Sequence, residues 1–337
     1  MMAHAPQPKT VALFYDGFEK QAHDHPFGRL RSDLRGQVRQ GYRALRGVQP
    51  YTGFYTAFLN LCRSLQARGI EVRVNDFSYA RRNPDMPIGL SGYGSVYDRV
   101  NLPNPAMFGP GYVPAPKPAL EVVQQCNLKI VTLPSEWPCK IWRPTLGDRV
   151  HPMFVAIDTD AWPDLGAASK DIDVLIYDKF RWDREARVAD ILTPLQAHFG
   201  ARGLSSTVLR YGHHHARQFR AALTRARCMV FLCEHETQGL AYQEALSSGV
   251  PILAWDEGEL VDPYERKIAP PGLKVSSVPY FDARCGMTFQ KADLITAFDR
   301  FWGAVPDFAP RDYVLDELSL DAGASRFLSL LGRVHPN

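Results

Sequence analysis

CEHETQGLAYQEALSSGVPILAW, residues 233–255, decides the reading of this chain. The apolar run Cys228–Cys233 leading into it reads as a buried strand, and a polar turn follows. Gly239 then opens a helix over Leu240–Ser247, Gly249 closes it, and Pro251–Trp255 is the next strand. Strand, helix and strand in that order make a βαβ unit and predict a parallel sheet. Ligands of open parallel sheets bind at the carboxyl ends of the strands. A helix that starts there offers free backbone N–H groups and a partial positive charge, which suits a diphosphate. Gly239 carries no side chain, so a phosphate can approach the backbone closely. Glu244 lies about one and a half turns into the helix, within reach of the same ligand, and a carboxylate accepts both hydroxyls of a ribose diol. Glu236 precedes the helix, at the strand mouth where a reacting sugar would lie.

The same alternation extends in both directions. Val174–Tyr177 and Ser206–Arg210 read as strands, with helices at Arg184–His198 and Ala216–Ala226. Ala161–Ser169 reads as a linker. Before it, Val11–Tyr15 is a buried first strand, Thr56–Arg68 a helix closed by Gly69, and Ile70–Val74 a strand. Asn83–Pro118 is rich in Pro and Gly and is expected to form long loops around a short strand at Ile88–Leu90. A helix near Ala119–Gln125, a strand at Leu128–Leu133 and a helix opened by Ser135-Glu136-Trp137-Pro138 follow, and Phe154–Ile157 ends this half.

The 337 residues suit two domains, and 45% hydrophobic against 22% charged residues is the balance of a globular chain rather than a disordered one. A formal net charge of +3 demands no anionic partner. No apolar run approaches the ~20 residues of a membrane span. The opening MMAHAPQPKT lacks a basic start and an apolar stretch, so a cytoplasmic protein is expected. Six scattered cysteines without a CxxC pair read as buried free thiols.

Glu236 and Glu244, with seven residues between them, resemble the Glu-x7-Glu motif of retaining GT-B glycosyltransferases. The continuation Glu244-Ala245 to Gly249-Val250-Pro251 is similar to the Glu-Ala-x-x-x-Gly-x-Pro of glycosyltransferase family 4. The resemblance implies two doubly wound Rossmann-like α/β domains facing across a cleft. It implies an acceptor-binding domain over residues 1–163, a donor-binding domain over 164–300, and a helical segment over 301–337 that crosses back. It implies transfer of a sugar, with retention, from a UDP- or GDP-linked donor to a hydroxyl of a glycan or lipid-linked acceptor. In it Glu244 binds the ribose, Glu236 contacts the donor sugar, and the amides around Gly239-Leu240 hold the donor. The resemblance is firm over about residues 170–260 and loose before them. A non-catalytic sugar-nucleotide-binding protein of the same fold, or a nucleotide-sugar epimerase, is the alternative.

Family members carry Gly-Arg and a Lys after the first strand of the donor domain. Here Asp178-Lys179-Phe180-Arg181 lacks the Gly-Arg, but Lys179 and Arg181 still sit at the strand end, where a cation would neutralise charge on a leaving diphosphate. On that reading no metal or other cofactor is required. Gly53, in Tyr51-Thr52-Gly53-Phe54, stands where relatives have a Gly-rich turn before the first helix, and a plain turn is the alternative. His151 is a weaker candidate acid/base or sugar ligand. Asp158-Thr159-Asp160 spells a cation-binding tripeptide but precedes the linker, and His213-His214-His215 makes a poor chelate because neighbouring loop side chains diverge. Between Arg29 and Arg46, Arg31, Arg35, Arg39 and Arg43 recur every fourth residue beside Leu30, Leu34, Val38, Tyr42 and Leu45. This basic amphipathic helix either packs with its arginines in water or touches an anionic membrane or acceptor, at the inner face of the membrane if so. No aromatic-interleaved basic groove points to nucleic acid.

Overall fold

The computed structural model describes residues 8–45 and 51–334, so Arg46 lies outside the described residues. The chain divides into two compact units, one reaching to Ala156 and resuming at Leu320, the other Ile157–Ser319.

The first unit holds a six-stranded parallel sheet, β1 (Thr10–Asp16), β2 (Glu71–Val74), β3 (Ile88–Gly92), β4 (Ala106–Gly111), β5 (Leu128–Leu133) and β6 (Val150–Pro152), in the order β2-β1-β3-β4-β5-β6. Its helices are α1 (Pro26–Leu45), α2 (Gly53–Ala67), α3 (Phe77–Arg82), α4 (Ser95–Arg99), α5 (Pro116–Gln125) and α6 (Glu136–Leu146). β1 is buried along its length because it is central and covered on both faces, which is why its sequence is a continuous apolar run. The second unit holds β7 (Ile172–Asp178), α7 (Arg184–Arg187), α8 (Thr193–Ala201), β8 (Ser206–Arg210), α9 (Ala216–Arg225), β9 (Ala226–Leu232), α10 (Leu240–Ser247), β10 (Ile252–Trp255), α11 (Glu265–Ile268), β11 (Gly286–Phe289), α12 (Leu294–Ala304) and α13 (Pro310–Glu317). Its parallel sheet runs β11-β10-β9-β7-β8. Val230, Leu253, Phe298 and Phe301 are fully buried in one core with Trp255. Burying such side chains contributes about 1.5–3 kcal/mol each.

The last helix, α14 (Leu320–Leu331), belongs to the first unit. It sets the fully buried Phe327 into the core with Phe58 and Leu65 of α2. Arg68 at the end of α2 also grips Asp321 with two bonds of 2.6 and 2.7 Å.

Three expectations change. The stretch 83–118 is not mainly loop, for it contains α4 and β4 besides β3. Ala106, Met107 and Phe108 are completely buried, but three apolar residues between Pro and Gly give too little periodicity to read as a strand. The helix expected at Arg184–His198 is interrupted by a π-helical turn at Val188–Leu192. Pro194 has no N–H to return to the preceding turn, so the ladder widens there. Gly53 is not in a turn before a helix but is the first residue of α2, whose cap is Thr52, accepting the Tyr55 N–H. A Cβ at position 53 would meet nothing within 4 Å among the described residues, so close packing against them does not demand glycine there.

Candidate functional site

In the second unit the sheet order reverses at β7: β8 lies on one side and β9 on the other. The crevice outside the carboxyl ends of β7 and β9 is therefore a topological switch point, where open α/β sheets bind ligands. Lys179 follows β7 and Glu236 follows β9. Their side chains meet: the Lys179 ammonium donates to Glu236 Oε1. Only 13% of the lysine side chain and 10% of the glutamate side chain reach solvent. Burial would depress the lysine's pKa, but the charge and hydrogen bond of Glu236 outweigh it and hold the ammonium protonated, above its ordinary range. The ammonium also lies 4.5 Å from the centre of the exposed Tyr211 ring, beyond β8.

The turn carrying Glu236 is fixed from several sides. The Glu236 N–H donates to Ser276 O at 3.0 Å, and the Lys179 N–H to Leu232 O at 2.8 Å. Glu234, 4% exposed, accepts the N–H groups of Arg181 and Trp182 at 3.2–3.3 Å. It thereby ties the loop after β7 to the end of β9. Burial raises the Glu234 pKa despite these bonds. Asp178, at the end of β7, is clasped by Arg184 at 2.7 and 2.5 Å. Cys233 is buried with its sulfur 3.7 Å from Glu236 Oε1, and burial pushes its thiol well up, so it stays protonated.

Gly239 opens α10 with φ +87° and ψ +63°, left-handed backbone that a side-chain-bearing residue adopts at a cost. A Cβ there would lie 2.3 Å from the Tyr242 ring and 3.2 Å from Glu236 Cγ. Tyr242 cannot retreat: it is fully buried and bonded to Tyr280 and Gln243. Gln243 in turn accepts from Gln238 at 2.8 Å. Leu240 is half-buried as the first helical residue.

Glu244 differs from Glu236. It is half-buried, and its carboxylate has no hydrogen bond or ion pair among the described residues. Burial pushes its pKa up to about 8, with the Arg220 charge opposing. Burial, and after it the charge of Glu244, keeps the nearby Tyr177 phenol un-ionised, and that phenol faces His214 Nε2 at 3.3 Å.

Arg181 is exposed, with its guanidinium stacked 4.5 Å over Trp182, whose ring stacks on His235. The second unit thus brings together Lys179, Glu236 and Gly239, sets Leu240 and Glu244 along the same helix, and turns the Arg181 head onto an aromatic ring. His215 caps α9, and Asp158 accepts the Ala161 N–H at 3.1 Å.

Gly53 and His151 belong to the first unit. His151 pairs with Thr132 between β6 and β5, and its Nε2 is buried without a hydrogen-bond partner among the described residues. Burial and then the charges of Arg333 and Arg326 lower its pKa. The first unit has its own switch point, between β1 and β3. There Asp16, 1% exposed, accepts from Ala22 N–H at 2.8 Å, from Ser95 and from Arg99 at 3.2 Å. Glu19 accepts the Thr52 N–H at 2.7 Å.

Sequence reasoning misses Glu234, Tyr211 and Asp16. Asp16 ends an apolar strand in Asp16-Gly17, and Glu234 directly follows one, so each carries a positional signal, whereas nothing in the sequence ties Tyr211 to Lys179.

No family model matches the chain. No curated protein matches it either. Among solved structures it is similar to that of AviGT4, a glycosyltransferase involved in Avilamycin A biosynthesis, with 12% identity, 97% of this chain and 98% of that chain covered, and a TM-score of 0.51. The apo lipopolysaccharide outer core galactosyltransferase WaaB (11% identity, 96% and 99% covered, TM-score 0.47) and a sucrose-phosphate synthase from Thermosynechococcus elongatus (13%, 96% and 98%, 0.46) are also similar. The two parallel α/β units, each with its own sheet, and the likeness to AviGT4 make the fold the two-domain Rossmann-like GT-B fold.

Proposed function

We propose that the protein transfers a sugar from a nucleoside diphosphate donor to an acceptor hydroxyl. The observation that carries the reading is the Lys179–Glu236 pair at the β7/β9 switch point, beside a helix that opens on the left-handed Gly239 and carries an unpartnered Glu244. The free N–H groups at the start of α10 suit the diphosphate, and Glu244 accepts the ribose hydroxyls. Lys179 balances charge on the leaving diphosphate as the sugar–phosphate bond breaks. Glu236 sits beside the reacting sugar, and Arg181 adds positive charge at the mouth of the site. Retention of configuration, a hexosyl group, a UDP- or GDP-linked donor and a role in polysaccharide or glycolipid synthesis follow from the Glu-x7-Glu resemblance. The first unit takes the glycan or lipid-linked acceptor, with Gly53, His151 and the Asp16 switch point as its candidate positions.

The test is a panel of UDP-, GDP- and ADP-sugars, with released nucleotide as the signal in the presence of acceptor extracts. Turnover that Glu236→Gln abolishes supports transfer. Tight donor binding with no turnover for any donor identifies a sensor of sugar nucleotides instead.

A further inference from the structure

Helix α1 is packed inside out. Its inward residues are Gly28, Ser32 and Gly36, one per turn, all buried. A Cβ on Gly36 would stand 2.5 Å from Glu19 O, and one on Gly28 would stand 2.7 Å from the His23 ring. Ser32 Oγ accepts the Gln21 N–H at 2.8 Å. Small residues are therefore what let this face lie against the chain. The large apolar residues occupy the opposite face: Phe27 is 83% exposed, Val38 74% and Leu45 90%, with Leu30, Leu34 and Tyr42 between 54% and 59%. An amphipathic helix that merely covers a core points this stripe inward.

We infer that α1 is a docking helix for an anionic lipid surface, its apolar stripe entering the headgroup boundary and its arginines meeting lipid phosphates. Exposed Arg31 and Arg35 border the stripe on one flank, and the helix carries five arginines against one aspartate, a net +4. That charge complements an anionic bilayer and opposes pairing with a second copy, which would set a second helix of net +4 against the first. Among the described residues no helix is long and apolar enough to cross a membrane, so α1 lies on the surface rather than spanning it. The inference stands apart from sugar transfer: a Glu236→Gln protein binds lipid equally well.

The experiment is sedimentation of the full chain with vesicles of phosphatidylcholine alone and with about one-third phosphatidylglycerol added. Binding to the anionic vesicles is expected to exceed binding to the neutral ones at least ~10-fold and to fall with salt. Leu34→Glu/Val38→Glu and Arg31→Glu/Arg35→Glu are each expected to weaken it ~10-fold or more. Both pairs are solvent-exposed, and unchanged circular dichroism and Tm show that the variants fold. Equal binding to the two vesicle types, or binding that both variants leave intact, overturns the inference. So does a dimer in solution that Leu34→Glu/Val38→Glu dissolves, since the face then belongs to a second copy.

Discussion

Glu236 and Glu244 lie eight positions apart in sequence and live in opposite surroundings. Glu236 sits in a braced turn with its carboxylate already given to Lys179. Glu244 sits on α10 with no partner among the described residues, and burial holds its pKa near 8. One carboxylate is stabilised by the protein as it stands, and the other is kept at a cost. Glu244 is half-buried, and desolvation without a protein partner disfavours its charged form, so a ligand that supplies donors would relieve that cost. The same contrast says which substitution harms folding and which harms only binding.

Glu236→Gln is expected to have the largest effect. Removing one partner of a buried ion pair leaves the Lys179 charge uncompensated, a loss of about 3–5 kcal/mol. Turnover is expected to drop about 10²–10³-fold. The double variant Glu236→Gln/Lys179→Met removes both charges, so it should recover most of the stability and none of the activity. Denaturant unfolding separates the two roles. If the double variant is as unstable as the single one, the pair is not what holds the turn.

Gly239→Ala sharpens the comparison from between the two carboxylates. Left-handed backbone costs a non-glycine residue about 1–2 kcal/mol. The added methyl also meets the immobile Tyr242 ring and presses on Glu236. Turnover is expected to fall about 10²-fold through misplacement of the reacting groups. A Gly239→Ala protein with full turnover removes the turn's geometry from the mechanism.

The second unit is far more legible in sequence than the first. Around Gly239 each level agrees: the apolar run of β9, the turn, the helix and Gly249 all point to the same βαβ unit, and the bounds of α10 match those expected from the caps. β4 escapes because its buried core is three residues between Pro and Gly. The sequence shows α1 to be amphipathic, but which face is buried depends on how closely Glu19 and His23 approach Gly36 and Gly28, a tertiary fact with no periodicity of its own. The Lys179–Glu236 contact is legible only as proximity to one ligand. That the two side chains bond each other depends on the sheet order β9-β7, which brings residues 57 positions apart together.

Glu244→Gln should reverse the stability effect of Glu236→Gln. The Glu244 carboxyl has a folded pKa near 8, raised from an ordinary 4.5. The folded protein therefore binds a proton that the unfolded chain has already released between those values. The associated stability is complete below pH 4.5 and is lost as pH rises through 8. Glutamine stays neutral throughout, so the variant should gain stability over the parent near pH 8, by about 1–2 kcal/mol because the half-buried carboxyl is partly screened by solvent, and gain little near pH 4, while donor binding weakens at least ~10-fold. Thermal unfolding across that range reads the widening gap. A parallel pair of stability curves means that the carboxyl is ionised and solvated in the free protein.

The smallest effect is a proton count. Ribose hydroxyls can donate to an ionised Glu244 and favour its charged form, so the donor should lower its pKa and expel a proton. Donor affinity then rises with pH between about 7 and 8 and levels above, by a few-fold and by less than ten-fold per pH unit, since one group is involved. Calorimetric titration of a nucleoside diphosphate in two buffers of different ionisation enthalpy counts the released proton directly. Glu244→Gln should remove both the release and the slope, whereas Glu236→Gln should leave them, because it keeps the Glu244 carboxyl intact. Proton release that survives Glu244→Gln assigns the titrating group elsewhere and returns Glu244 to the role of a half-buried structural carboxyl.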